Sequence, residues 1–106
     1  MLFHTSEKYF PEILEESKKN PVLVDFYASW CMPCRILEPK LDTFSEIYYQ
    51  QISAYSVNID TDAKLAEYYQ IKNLPTVILF KNQQPVQRWE KEISIPEIEK
   101  FIKFMI

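Results

Sequence analysis

The segment Val22–Cys34 constrains the fold of this chain more than any other. It opens with a nearly continuous apolar run, Val22 to Ala28, which favours a central β-strand buried on both faces. Trp30-Cys31-Met32-Pro33-Cys34-Arg35 follows, and we interpret it as the junction between this strand and a helix. Pro33 suits a first helical turn, where a missing N–H costs little. The segment therefore predicts a buried strand that leads directly into a helix.

Cys31 and Cys34 are the only cysteines of the chain and stand three residues apart. Residues at this spacing lie on the same side of a helix, so the two thiols can close into a disulfide if their Cβ atoms approach within about 4 Å. A helix N-terminus also favours a thiolate. The pair therefore indicates reversible thiol chemistry. The alternative is half of a zinc site, although zinc usually takes four ligands and His4 is the only further soft or borderline one.

The composition predicts a single domain over residues 1–106. Hydrophobic residues make up 47% of the chain, enough for a sizeable core, and a net charge of −3 favours neither nucleic acid nor an anionic membrane. The N-terminus lacks a secretory signal, and no apolar run approaches the roughly 20 residues that span a bilayer. We therefore expect a cytoplasmic protein, in which two cysteines are typically catalytic or metal-binding. Glycine is absent, so turns must use other residues.

Hydrophobic periodicity predicts strands that alternate with helices and end in a hairpin and a last helix, which indicates an α/β sheet covered on both faces. The predicted strands are Leu2–His4, Val22–Ala28, Ile52–Ile59, Thr76–Phe80 and Val86–Glu92. The predicted helices begin at a Thr5 or Ser6 cap, near Pro33, after the Asp60-Thr61-Asp62 cap, and at the Ser94-Ile95-Pro96-Glu97 capping box. Asn82-Gln83-Gln84-Pro85 is predicted to be the hairpin turn.

Several of these segments, in this order and spacing, resemble the thioredoxin family over essentially the whole chain. The matching residues are Val24-Asp25-Phe26-Tyr27-Ala28-Ser29-Trp30-Cys31-Met32-Pro33-Cys34-Arg35, then Pro39, Asn58-Ile59-Asp60, Leu74-Pro75-Thr76 and Phe80-Lys81-Asn82. The resemblance implies an α/β thioredoxin fold, with a central mixed sheet flanked by four α-helices. It also implies a cis peptide before Pro75, facing the disulfide.

The resemblance implies roles for both cysteines. Cys31 is expected to be the nucleophile, at the exposed edge of the helix where substrate reaches it. Cys34, one turn deeper, is expected to be the resolving thiol that attacks the mixed disulfide between Cys31 and substrate.

Asp25 interrupts the apolar central strand, and burial should raise its pKa. By resemblance it accepts the proton of Cys34 through a water. The alternative is an acid at the strand end that points into solvent. Ser56 stands where the family commonly places a lysine beside this acid, so Asp25 should be harder still to ionise.

Substrate binding is expected at Trp30, Met32, Pro33, Leu74 and Pro75. A cis Pro75 would leave the backbone of Leu74 free to pair with an extended substrate. Trp30 either lines this surface or is ordinary packing. Met32, Asn73 and Lys91 occupy positions where the family typically has glycine.

These residues together predict a protein-disulfide reductase that needs no cofactor beyond its redox-active disulfide. The resemblance implies disulfide-containing proteins and an NADPH-dependent thioredoxin reductase as partners, and we expect a monomer. A dedicated oxidant or isomerase is the alternative. A histidine at position 33 would stabilise the Cys31 thiolate and favour an oxidant, whereas Pro33 carries no charge and so disfavours this alternative. A non-catalytic adaptor is disfavoured by the presence of Cys31, Cys34 and Asp25 together.

Overall fold

Five strands form one mixed sheet in a computed structural model that describes residues 1–106. The strands are β1 (Leu2–His4), β2 (Val22–Tyr27), β3 (Ser53–Asn58), β4 (Thr76–Lys81) and β5 (Gln84–Glu90). Their order across the sheet is β1-β3-β2-β4-β5, with β1, β3 and β2 parallel and with β4 antiparallel to both β2 and β5. The strand that leads into the cysteines is therefore central, as the sequence predicted.

Four α-helices cover the two faces of this sheet. They are α1 (Phe10–Glu16), preceded by a 3₁₀ turn at Glu7–Tyr9, then α2 (Met32–Ile47), α3 (Ala63–Tyr68) and α4 (Ile95–Met105). This arrangement confirms the expected fold class, a mixed sheet with four helices. No helix of the structure has both the length and the apolar character required to cross a membrane.

Alternate residues of β2 belong to two separate cores, because successive side chains of a strand point to opposite faces. Val22, Val24 and Phe26 pack on the side of α1 and α3. Leu23 packs with the inner faces of α2 and α4. Asp25 has the same parity as Leu23, so its carboxyl lies on the α2 side.

The hairpin between β4 and β5 is tighter than the sequence predicted. Asn82 and Gln83 alone form the turn, with φ of 53° and 67°, and Gln84 already pairs with Lys81. Positive φ at both central residues is typical of a two-residue hairpin turn, which the absence of glycine concealed in the sequence. The prediction that Gln84 and Pro85 belong to the turn is therefore wrong.

Helix capping agrees with the sequence only in part. The Ser94 hydroxyl accepts a hydrogen bond from the Glu97 N–H at 3.4 Å, as a capping box requires. Asp62 stands at the N-cap of α3, but its carboxylate accepts a hydrogen bond from the Glu7 N–H instead of capping the helix. The Asp62 side chain therefore connects the loop after β3 to the 3₁₀ turn at Glu7.

Substituting Gln83→Gly is expected to raise the free energy of unfolding by about 1 kcal/mol, since a left-handed φ costs a non-glycine residue roughly that much. Urea denaturation would measure the change. Gln84→Gly is the matched control, because Gln84 lies in β5 and glycine there should lower stability by about 0.5–1 kcal/mol. Equal effects of the two substitutions would contradict the described turn.

Candidate active site

Helix α2 begins at Cys31, which occupies its N-cap. Cys31 has extended backbone angles (φ −88°, ψ 111°), and its sulfur accepts a hydrogen bond from the Cys34 N–H at 3.3 Å. Pro33 lies in the first turn, and no acidic residue does. The unpaired N–H groups and the dipole of this helix therefore act on Cys31 without a competing negative charge in that turn, an arrangement that favours a thiolate.

Cys31 and Cys34 are joined by a disulfide, with their Cα atoms 5.3 Å apart. The pair therefore closes within one helical turn, as its spacing predicted. No group of three His, Cys, Asp or Glu side chains in the structure lies close enough together to hold a metal ion. The two sulfurs are bonded to each other.

Cys31 is less accessible than the sequence predicted. Its exposed fraction is 6%, against 2% for Cys34, so an exposed edge position is wrong for the disulfide form. The reason is that both cysteines belong to a small buried cluster with Ala28, against which Ile59 and Leu74 pack. Cys31 is still the more accessible of the two.

Asp25 is 2% exposed and its Oδ1 atom has no hydrogen-bond partner. Burial, and secondly the negative charge of Glu38 on α2, raise the pKa of Asp25 to about 7. The alternative of a solvent-facing acid at the strand end is therefore wrong. Ser56, buried and in register with Asp25 on β3, supplies no cation that would lower this pKa. The structure thus places an acid that ionises with difficulty on the face that α2 covers.

Trp30 lies on the surface beside the cysteines. Its side chain is 69% exposed, and its indole N–H donates a hydrogen bond to the Asp60 carboxylate at 3.0 Å. Ordinary core packing is therefore wrong for this residue. The bond to Asp60 holds the indole on the surface next to Cys31.

The Leu74–Pro75 peptide is cis, as expected. The Pro75 carbonyl accepts a hydrogen bond from the Lys91 N–H at 2.9 Å, which ties this loop to the end of β5. The N–H and C=O of Leu74 form no hydrogen bond within the chain. Both groups are therefore left unpaired in a half-buried residue that packs against the cysteines.

A groove of about 350 Å³ runs beside the disulfide, between α2 and the segment after β5. Of the expected substrate-binding residues it contains Met32, Pro33 and Pro75, whereas Trp30 and Leu74 lie outside it. The sequence reasoning missed Ile36 and Lys40, which also line it. The sequence could have indicated them, because Met32, Ile36 and Lys40 stand four residues apart and residues at this spacing share one face of a helix.

Comparisons of the chain with known proteins all point to one family. A model of the family described as thioredoxin matches residues 1–104. The chain is 47% identical to a thioredoxin-like protein of Synechocystis sp. over 81 residues, which is 76% of each chain. It is 46% identical to a chloroplastic thioredoxin Y of rice, covering 76% of this chain and 48% of that one. It is 37% identical to a bifunctional thioredoxin reductase/thioredoxin of Mycobacterium leprae, covering 79% of this chain and 18% of that protein.

Substituting Asp25→Asn is expected to raise the free energy of unfolding of the oxidised protein at pH 8 by about 2–4 kcal/mol. Folding raises the pKa of Asp25 from 3.8 to about 7. Its favourable contribution is therefore complete below pH 4 and is lost as the pH rises through 7, because the unfolded chain ionises this carboxyl freely while the folded state must keep it protonated or ionise it in a buried place. Asparagine has the same shape and no charge, so this loss should disappear.

Urea denaturation between pH 4 and 8 would measure the effect. Glu38→Gln is the matched control, because it removes only the second cause of the shift and should flatten the profile slightly. A wild-type stability that does not fall over this range would contradict the burial of an ionising Asp25.

Proposed function

The chain belongs to the thioredoxin family, and from that premise we propose how its residues share the work of reducing a protein disulfide. It is a thioredoxin-like thiol–disulfide oxidoreductase whose redox group is the Cys31–Cys34 pair itself. The observation that carries the assignment of roles is the position of this pair, at the N-terminus of α2 and on the side of the sheet that holds the buried Asp25.

Cys31 is the proposed nucleophile. In the reduced protein its thiolate, favoured by the helix N-terminus, attacks one sulfur of the substrate disulfide. A mixed disulfide forms between Cys31 and the substrate, and the other substrate sulfur leaves as a thiolate. Cys31 is the more exposed of the two residues even in the disulfide form, which supports this order.

Cys34 is the proposed resolving thiol, and Asp25 its proton acceptor. Cys34 passes its proton to the Asp25 carboxylate and then attacks the Cys31 sulfur of the mixed disulfide. The second substrate sulfur leaves, and the Cys31–Cys34 disulfide forms, so two electrons have moved to the substrate. A carboxyl with a pKa of about 7 can accept and release a proton at neutral pH.

Substrate recognition is proposed to combine backbone pairing with an apolar groove. The free N–H and C=O of Leu74 would pair with an extended segment of substrate, which gives affinity without demanding a sequence. Met32, Pro33 and Pro75 would contact side chains next to the substrate disulfide, and Trp30 would form the outer border of the docking surface.

The family implies disulfide-containing protein substrates and a thioredoxin reductase as partners. The M. leprae relative carries the two activities of its name, reductase and thioredoxin, in one chain, which supports a reductase as the source of electrons here. We further propose that residues 1–106 act as one monomeric domain in the cytoplasm, where dithiols are kept reduced. The rice relative is named chloroplastic, and a chloroplast would serve the same chemistry.

Substituting Cys34→Ser is expected to trap substrates as mixed disulfides on Cys31, because no thiol remains to resolve them. Non-reducing gels of the variant after incubation with oxidised insulin would show the adduct. Cys31→Ser is the matched control and should form no adduct. Both variants should reduce insulin no faster than a blank, whereas an inactive wild-type protein would favour the adaptor alternative.

The reduction potential of the pair is expected to lie below that of glutathione, and Pro33→His should raise it by at least about 30 mV. A histidine cation beside Cys31 stabilises the thiolate and with it the reduced form. Equilibration with glutathione buffers would measure both values, with Pro33→Ala as the control for loss of proline. A wild-type potential as high as that of glutathione would favour the oxidant alternative.

A further inference from the structure

A row of three polar residues crosses the sheet from Asp25 to the protein surface. Asp25 on β2 is in register with Ser56 on β3, and Ser56 is in register with His4 on β1. Residues paired in this way place their side chains on the same face of a parallel sheet, with neighbouring strands about 4.8 Å apart. Asp25 and Ser56 are buried and His4 is exposed, so the row leads from the interior to solvent.

The neighbouring row of the same face has a different character. It consists of Leu23, Ala54 and Leu2, in the same register two residues earlier on each strand. These residues are apolar and belong to the core beneath α2. The fold therefore accommodates apolar side chains at this depth, and packing alone does not explain polar ones in the row of Asp25.

Ser56 and His4 are directly connected. The Ser56 Oγ and the His4 Nδ1 atoms are 2.7 Å apart and share a hydrogen bond. A hydroxyl has one proton to donate and two lone pairs that accept, so the Oγ that donates to His4 can accept a proton from Asp25 at the same time. In the structure the Ser56 hydroxyl bonds to His4, and the Oδ1 atom of Asp25, its register neighbour on β2, has no hydrogen-bond partner. A rotation of the Asp25 carboxyl toward Ser56 would join the three groups.

We propose that Ser56 and His4 form the path by which Asp25 exchanges its proton with solvent, and that both are positioning residues for the second step of disulfide reduction. The proposal rests on the role of Asp25 proposed above. The Asp25 carboxyl gives its proton to the Ser56 Oγ while the Ser56 O–H proton passes to the His4 Nδ1. The exposed imidazole then releases its Nε2 proton to water. One proton leaves the interior, and no electron moves.

The charged and titratable groups around this row do not offer a shorter path. Glu38 on α2 raises the pKa of Asp25 through its charge but forms no hydrogen bond with the Asp25 Oδ1 atom. Asp42, also on α2, accepts a hydrogen bond from the Leu2 N–H at 2.8 Å, in the neighbouring row. Tyr27 lies on β2 with its ring centroid 6.0 Å from that of His4, and burial raises the pKa of this phenol, with smaller contributions from Glu38, Asp25 and Asp62. Tyr27 is therefore a poor proton carrier at neutral pH.

The test is the rate at which Cys34 resolves a preformed mixed disulfide, followed by stopped-flow fluorescence of Trp30 at several pH values. His4→Gln keeps an oxygen that accepts a hydrogen bond from Ser56 but cannot relay a proton. It should slow the step at least about tenfold at low buffer concentration. Adding imidazole should restore the rate in proportion to its concentration, whereas the wild-type rate should not respond.

Three further variants separate a proton path from a structural effect. Ser56→Ala should be as slow as His4→Gln, and Ser56→Thr should recover the rate because it restores the hydroxyl. Phe3→Gln is the matched control, since Phe3 is an exposed residue on the opposite face of β1, and it should leave the step unchanged. Circular dichroism melting curves and alkylation rates of Cys31 should match the wild type in all four variants.

The outcomes distinguish the inference from the function on which it rests. If Asp25→Asn slows the step while His4→Gln and Ser56→Ala do not, the path through β1 is overturned and the role of Asp25 stands. If Asp25→Asn resolves the mixed disulfide at the wild-type rate, both are overturned. Slowing without any response to imidazole in His4→Gln would also overturn the path.

Discussion

The burial of one carboxyl group sets the energetic conditions for the rest of this structure. Asp25 lies in a central strand, on a face where the preceding row of residues is apolar and packed beneath α2. An apolar residue would make the fold more stable there, because an unpaired carboxylate in the interior is costly. Asp25 nevertheless provides a group whose charge changes near neutral pH, which an apolar side chain cannot provide.

The helix that covers this acid also carries the cysteine pair at its N-terminus. Helix α2 begins at Cys31, and its inner face carries Cys34, Leu37 and Leu41 into the core. The N–H groups at its N-terminus point toward Cys31. Its Glu38 side chain adds negative charge near Asp25. Its apolar residues exclude water from the face of the sheet that holds Asp25. The environment of Cys31 and the raised pKa of Asp25 therefore both depend on the placement of a single helix.

Local patterns predicted most of the fold, and long-range pairing explains most of what they missed. The apolar run before Cys31 and the periodicity of α4 were sufficient to place a central strand and a final helix, because each depends on nearby residues. The contact between Ser56 and His4 joins residues 52 positions apart, so only the strand register reveals it. The two-residue hairpin was missed because Asn82 and Gln83 adopt positive φ without glycine to signal it.

The sequence predicted which residues form the candidate site better than it predicted their accessibility or the shape of the surface around them. The identity of the cysteine pair and the burial of Asp25 follow from one short segment. The low accessibility of the cysteines does not, because Ile59 and Leu74, which pack against them, come from distant parts of the chain. The groove beside the disulfide was also predicted only in part. One wall is formed by α2, and the second wall is formed by residues 91–93, which follow β5.

Lys91 gives that second wall an unusual property. Its φ of 66° is one that glycine adopts most easily, and its N–H holds the Pro75 carbonyl, so its backbone is committed to the loop beside the disulfide. With glycine the entrance would be bare main chain. Here an exposed lysine side chain lines the groove, so a molecule that enters it meets a positive charge beside the apolar side chains of α2.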